Sequence, residues 1–403
     1  MKKPALYWQI LIAFILAIVF GLFLKNAVPY VEWMGTVFIK ALKMIIIPLI
    51  LSSIISGITQ IGDAKNLGRL GLKTMTYYLT TSIFALLTGL VLVNLFKPGV
   101  GADLGLQKTV DEVALTQQSF GRTLMNIIPE NIIEAMVQNQ MLSIIFFALL
   151  FGFFITRTSD KTNTLLTDFF SSLFEVMMKI TMFIIQFTPL GIFGIVAKVV
   201  AEQDNLLELF STMGQYMLVV ILALAIHSMI ILPLLIKLIG KSNPWLHFKA
   251  MREVLITAFS TSSSSATLPL TLDAVENRSG VSNKVTSFTL PLGATINMDG
   301  TALYELVAAI FIAQAYGIEL TFGQQIIVVL TGLLASIGAA GIPMAGLVMI
   351  SVVLTAVGLP LEGIGLILSV DRILDMFRTT VNVWSDSCGA VIIAKSEGET
   401  LTI

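Results

Sequence analysis

Long apolar runs without a single charge recur along the first 233 residues: Pro4 to Leu24, Met44 to Gly62, Thr74 to Phe96, Ala135 to Thr156, Ile180 to Ala197 and Leu209 to Pro233. About 20 apolar residues of helix cross the hydrocarbon core, and only helices or closed barrels satisfy their backbone there. The pattern therefore predicts an all-α polytopic membrane protein. No small-residue cleavage site follows the first run before Lys25, so it reads as a spanning helix rather than a secretory signal.

From about Lys241 the pattern changes. Val254 to Phe259 is too short to span and runs into Ser260-Thr261-Ser262-Ser263-Ser264-Ser265. Later, 42 charge-free residues from Leu320 to Leu361 are too many for one crossing and break at Ser336-Ile337-Gly338-Ala339-Ala340-Gly341-Ile342-Pro343. Both read as re-entrant helical hairpins with non-helical tips. The tips match: Ser262 and Pro269 are spaced as Ser336 and Pro343 are, and each hairpin is followed by a helix carrying Asn and Asp, Asn297 with Asp299 and Asn382 with Asp386. Paired, interrupted apolar segments point to a secondary transporter with inverted repeats and a midplane site. A serine run alone also suits a flexible linker; the matched second tip favours the hairpin.

Basic residues mark alternate connections, at Lys2 and Lys3, Lys65 to Lys73, Arg157 and Lys161, and Lys237 to Arg252, while those between lean acidic, as at Asp103, Asp111, Glu112, Glu202 and Asp204. The positive-inside rule then puts the N-terminus in the cytoplasm and returns the chain there by about Gly240; both termini are expected in the cytoplasm and the chain in the cell membrane. Of 403 residues 56% are hydrophobic and 12% charged, which excludes a soluble enzyme. A net charge of -1 without basic blocks argues against nucleic acid. With Cys388 the only cysteine and His227 and His247 the only histidines, an internal disulfide is impossible and a zinc site disfavoured, so any bound ion needs oxygen ligands.

The last long helix, about Glu362 to Ala394, carries Asp371, Asp375, Arg378, Asn382 and Asp386. At helical spacing these fall within roughly an 80° arc. Charges in a membrane are costly, so a striped face implies partners, water or ligands. An internal ladder of Asp371 or Asp375 with Arg378 is the bland reading. The sharper one is a zwitterion carrying an extra carboxylate: Arg378 for that carboxylate, Asp375 for the ammonium. In Asn297-Met298-Asp299-Gly300-Thr301, Gly300 permits a helix break that frees carbonyls. Asn297, Asn382 and Asp386 are expected to converge on one monovalent cation and Asp299 on another. Tyr78 to Ser82 is a weak signal alone.

Together the serine-rich tip, the Asn297 to Thr301 motif, the Gly338 to Pro343 tip and Asp375-x-x-Arg378-Thr379-x-x-Asn382-x-x-x-Asp386 closely resemble the dicarboxylate/amino acid:cation symporter family, over essentially the whole chain. The resemblance implies eight transmembrane helices plus two re-entrant hairpins, about 245–278 and 322–357, in a homotrimer working as an elevator. A scaffold of about 1–70 and 120–205 would carry a transport domain of about 71–97 and 206–403. It implies substrate contacts at Ser262, Ser263, Ser264, Thr301, Gly341, Ile342, Gly346, Asp375, Arg378, Thr379 and Asn382. One sodium ion would take Gly293, Asn297, Asn382 and Asp386; a second Thr295, Met298 and Ser336; a third Tyr78, Thr81, Ser82, Asn297 and Asp299. No organic cofactor is expected.

This chain departs from the family at two places. Archaeal members carry an arginine at the position of Ser262, and eukaryotic members carry one after Asp375, where this chain has Met376; Arg372 is the nearby replacement. Glu305 stands where excitatory amino-acid transporters carry protons, opening proton co-transport and potassium counter-transport, unless it merely pairs with Arg372. The leading expectation is sodium-coupled import of L-glutamate and L-aspartate. Proton-coupled glutamate or C4-dicarboxylate symport is the alternative, disfavoured by Asp375 and Asp386. An intramembrane enzyme using Asp299 and Asp386 has no nucleophile motif behind it.

Overall fold

The computed structural model describes residues 6–62, 68–101, 125, 127–202, 206–337 and 345–403, and among them there is no strand. Helix α1 (Leu6–Phe23) falls within the first predicted run, and α2 (Glu32–Gly62) and α3 (Gly68–Phe96) contain the second and third. The fourth run is broken: α4 (Ile132–Val137) and α5 (Met141–Ile155) are separated at Gln138, Asn139 and Gln140, where Asn139 takes a left-handed φ of 55°. A short polar side chain tolerates that backbone, and three amides in a row have little to gain from burial.

The fifth run is also not one helix. It divides between α6 (Asp160–Ile185) and α7 (Thr188–Glu202), which meet at 51°. Pro189 has no N–H to offer the carbonyl of Ile185, so the ladder stops there and a new helix starts with proline in its first turn. The sixth run continues as α8 (Leu206–Ile226) through a π turn at His227–Ile231 into α9 (Leu232–Leu238).

Beyond Asn243, which caps α10 (Pro244–Thr261), the chain turns at Ser262 and Ser263 into α11 (Ser264–Asp273), which is extended by a π turn to Arg278. Ser262 takes a left-handed φ of 51°, and an ion pair of 2.7 Å between Glu253 and Arg278 joins the two arms, so α10 and α11 run antiparallel. Helices α12 (Asn283–Ile296) and α13 (Asp299–Ala315) follow, then α14 (Phe322–Ile337) packed on α15 (Ala345–Ala356), and finally α16 (Ile364–Ser396). The second tip, with Gly338, Ala340, Gly341, Ile342 and Pro343, lies outside the described residues.

Helix α2 packs along α5, α6 and α7, and α7 along α1. In the other half α13 is buried at every residue but Gln314, packed against α3, α8, α14, α15 and α16, while α10 and α12 lie on α16. The groups meet where α15 touches α2 and α5 and where α16 touches α1 and α7. Outer faces display Leu72, Val91, Leu95, Phe183, Leu218 and Met229 to the surroundings, a pattern that suits lipid and not water. The chain is a multi-pass membrane protein.

Among the described residues, length and apolar composition alone qualify four helical stretches to cross a membrane, and a fifth if α6 and α7 count as one bent span. Others fall short for identifiable reasons. Helix α5 has 15 residues, and α16 is long enough but carries the charged stripe.

Candidate functional site

The site is assembled where α12 ends, α13 begins and α16 crosses both. Helix α12 stops at Asn297 (φ -91°, ψ 80°) and α13 starts at Asp299, so the break lies at Asn297 and Met298 rather than at Gly300. Gly300 serves a different need. A β-carbon there would lie 2.4 Å from the carbonyl oxygen of Arg378, so only glycine lets α16 pass this close. Its N–H donates to Asn382 Oδ1 at 2.7 Å. Asn382 Nδ2 in turn donates to Thr301 Oγ1 at 3.1 Å and faces Met298 Sδ at 3.2 Å.

A second polar knot lies deeper, where α3 and α8 join. Asn297 Nδ2 donates to Asp386 Oδ1 at 2.8 Å and to Ser385 Oγ at 3.0 Å. Asp299 accepts from Ser82 at 2.7 Å and from Ser385 at 2.6 Å, and His227 Nε2 lies 3.2 Å from its Oδ2. Thr81 Oγ1 reaches Asn297 Oδ1 at 3.4 Å, and the Tyr78 hydroxyl donates to the Thr289 carbonyl at 2.6 Å. Gly293 faces this knot, since a β-carbon on it would lie 2.5 Å from Asp386 Oδ1 and 2.7 Å from the Tyr78 oxygen. All of these side chains are buried, and among the described residues neither Asp299 nor Asp386 has a lysine or arginine partner. Among those residues no three His, Cys, Asp or Glu side chains form a metal cluster, so a cation here would rely on amide, hydroxyl and carbonyl oxygens as well.

The predicted sodium residues are thus only partly gathered. Gly293, Asn297 and Asp386 share one knot with Tyr78, Thr81, Ser82 and Asp299, whereas Asn382 sits beside Met298 and Thr301. Thr295 is exposed and donates to Leu292 of its own helix, and Ser336 does the same to Leu333. No hydrogen bond joins Thr295, Met298 and Ser336 among the described residues.

Arg378 is 1% exposed and lies among acidic groups. Its Nε donates to Asp375 Oδ1 at 2.9 Å and its Nη1 to Asp371 Oδ1 at 3.1 Å, while Arg372 approaches Asp375 Oδ2 at 3.6 Å. The Tyr304 ring covers the guanidinium, its centroid 4.3 Å from Cζ. The internal ladder is therefore formed in the structure. Gly346 on α15 abuts the same group, and Thr379 is buried beside it. Glu305 is fully buried with neither carboxylate oxygen hydrogen-bonded among the described residues, so it makes no such bond to Arg372. At the first tip the Ser262 hydroxyl is buried and without a partner among those residues, Ser263 caps α11 by accepting from Ala266 N–H at 3.2 Å, and Ser264 begins that helix. Gly341 and Ile342 lie outside the described residues.

Two residues of the deep knot escape the sequence pattern. Ser385 adjoins Asp386 but falls off the charged stripe. The sequence gives His227 no role beyond a disfavoured zinc site, although a lone histidine in an apolar span is itself a signal.

Comparison with known proteins places the chain. The sodium:dicarboxylate symporter family matches residues 6–396. The chain is 37% identical to the proton/glutamate-aspartate symporter of Escherichia coli (strain K12), over 98% of this chain and 93% of that one. It is 37% identical to the proton/sodium-glutamate symport protein of Geobacillus stearothermophilus, over 99% and 96% of the respective chains. It is 38% identical to excitatory amino acid transporter 3 of Mus musculus, over 91% of this chain and 79% of the relative. A site of buried carboxylates, amides and one guanidinium at a broken helix, in a chain so matched, is that of a transporter and not an enzyme: the protein belongs to the sodium:dicarboxylate symporter family.

Proposed function

We propose that this protein imports acidic amino acids, L-glutamate or L-aspartate, in symport with sodium. The observation that carries the reading is the pairing of two buried sites along one face of α16: Arg378 with Asp375, suited to a zwitterion with an extra carboxylate, and beside it Asn297, Asp299 and Asp386, which among the described residues have no lysine or arginine partner. The names of the relatives, glutamate and aspartate symporters among them, support the same substrate class. In this reading Gly341, Ile342, Gly346, Thr301, Thr379, Asn382 and Ser262 to Ser264 complete the substrate contacts. The two antiparallel helix pairs are re-entrant hairpins, with the second as the extracellular gate.

Eight spans in a homotrimer, cytoplasmic termini and an elevator motion of about 71–97 and 206–403 against about 1–70 and 120–205 belong to the same proposal. The two packed groups of helices support that division. Proton co-transport is a second reading, favoured by one observation: among the described residues the buried Glu305 carboxyl group makes no hydrogen bond.

Proteoliposomes with an imposed sodium or proton gradient separate these readings. Labelled aspartate should accumulate when sodium is high outside, and adding a proton gradient should increase the yield only if Glu305 is ionisable in the cycle. Accumulation driven by protons in the absence of sodium would overturn the sodium assignment.

A further inference from the structure

Asn297 and Asp299 stand on either side of the break between α12 and α13, where Asn297 (φ -91°, ψ 80°) and Met298 (φ -108°, ψ 53°) leave the helical backbone. No turn of helix therefore fixes the spacing of their side chains. Ser385 spans them from across, on α16. Its hydroxyl donates to Asp299 Oδ2 at 2.6 Å and accepts from Asn297 Nδ2 at 3.0 Å, and the residue is fully buried. Its backbone carbonyl accepts from the Tyr77 hydroxyl at 3.1 Å, and a β-carbon on Gly389 would lie 2.6 Å from the Tyr77 ring, so α3 and α16 are held close at this level.

Among the described residues Ser385 is the side chain hydrogen-bonded to both Asn297 and Asp299. The other partners of Asp299 are Ser82, at 2.7 Å from Oδ1, and His227, at 3.2 Å from Oδ2, and neither is hydrogen-bonded to Asn297 among those residues. Thr81 approaches Asn297 Oδ1 at 3.4 Å, but its hydroxyl lies nearer the carbonyls of Tyr77 and Tyr78, at 3.2 and 3.1 Å. A serine hydroxyl has one proton to give. With that proton on Asp299, Ser385 accepts from Asn297, and Asp386 Oδ1 takes a second N–H from the same amide at 2.8 Å. The amide nitrogen is thus kept toward α16 and the amide oxygen faces α3. Building on the sodium reading above, we propose that Ser385 is a positioning residue for the co-transported cation: it spaces the Asn297 amide from the Asp299 carboxylate and so sets the size of ion that the knot accepts. Without the hydroxyl, both groups lose their shared tether and can close on a smaller ion.

The test is equilibrium binding of radioactive sodium, with lithium as competitor, to the purified full-length protein without amino acid, choline holding the ionic strength constant. Wild type is compared with Ser385→Ala and Ser385→Cys. Outer partners of metal ligands are worth about 10- to 100-fold in affinity, so Ser385→Ala should bind sodium about tenfold more weakly while lithium stays within about twofold of wild type. Ser385→Cys, whose thiol is a weaker donor, should move the same way and carries the test if the alanine variant does not purify as a monodisperse protein. A residue that merely supports the fold would weaken both ions alike. Wild-type sodium binding in the variants, or equal losses for sodium and lithium, overturns the positioning role and leaves the sodium reading standing. If wild type itself binds no sodium, the sodium reading falls and the role of Ser385 with it.

Discussion

Gly293→Ala adds one methyl group to the deep knot and probes whether that knot holds a cation. The new β-carbon would lie 2.5 Å from Asp386 Oδ1 and 2.7 Å from the Tyr78 hydroxyl oxygen. Neither neighbour can simply swing away. Asp386 accepts from Asn297 at 2.8 Å, and the Tyr78 hydroxyl donates to the Thr289 carbonyl at 2.6 Å. Overpacking of this kind costs about 1–3 kcal/mol. If the displacement of Asp386 falls wholly on cation binding, half-saturation by sodium rises about 5- to 150-fold. The assay is sodium-dependent aspartate uptake in proteoliposomes at fixed aspartate, with Gly214→Ala as control, because a β-carbon there meets nothing within 4 Å. The control should keep its sodium dependence. A Gly293→Ala protein that folds and shows wild-type half-saturation would refute the placement of a sodium ion between Gly293, Asn297 and Asp386.

Arg378→Cys removes a buried charge partner, worth about 2–5 kcal/mol, so acidic uptake should drop about 30-fold or more while small neutral amino acids gain entry; unchanged aspartate affinity would count against its role. Asp375→Asn should weaken amino acids more than dicarboxylates of the same length, and equal losses in a competition assay would make Asp375 structural. At the end of α16, hydrogen bonds from Arg69 and Lys73 hold the Glu397 carboxyl down to about 2 from the usual 4.5. Since the folded value is depressed, its stabilisation is present above the ordinary value and is lost as pH falls through about 2. A spin label at Ile403, with the buried native Cys388 left in place, should stay immobile at neutral pH and gain mobility on acidification. In Glu397→Gln the label should be mobile throughout; identical spectra for the two proteins would dismiss the clasp.

Much of the site was legible because membrane burial makes every polar residue conspicuous. Asp371, Asp375, Arg378, Asn382 and Asp386 stand out at helical spacing in an apolar sequence, and they do line one face of α16 toward the broken α12 and α13. The reason for Gly300 was not legible. Its backbone is ordinary, and what demands glycine is the carbonyl of Arg378, far away in sequence. His227 and Ser385 were missed for a similar reason, since nothing local says that both converge on Asp299. Hydropathy also overstated continuity. It could not show that Asn139 would turn left-handed inside the fourth run, or that Pro189 would split the fifth, because averaging over a window hides a single backbone break. Which carboxylate Arg378 engages is likewise decided by the reach of side chains, and helical spacing allows both Asp371 and Asp375.

In the proposed mechanism one helix couples two buried sites, so that cation and acidic amino acid bind each other's preferred state. Coupling of that kind is reciprocal by thermodynamic necessity. Titration of purified protein with aspartate at rising sodium, and with sodium at rising aspartate, measures it from both sides. Aspartate should tighten with sodium, sodium should tighten with aspartate by the same factor, and both gains should shrink together in Asp386→Asn. Aspartate binding of equal affinity with and without sodium would contradict it.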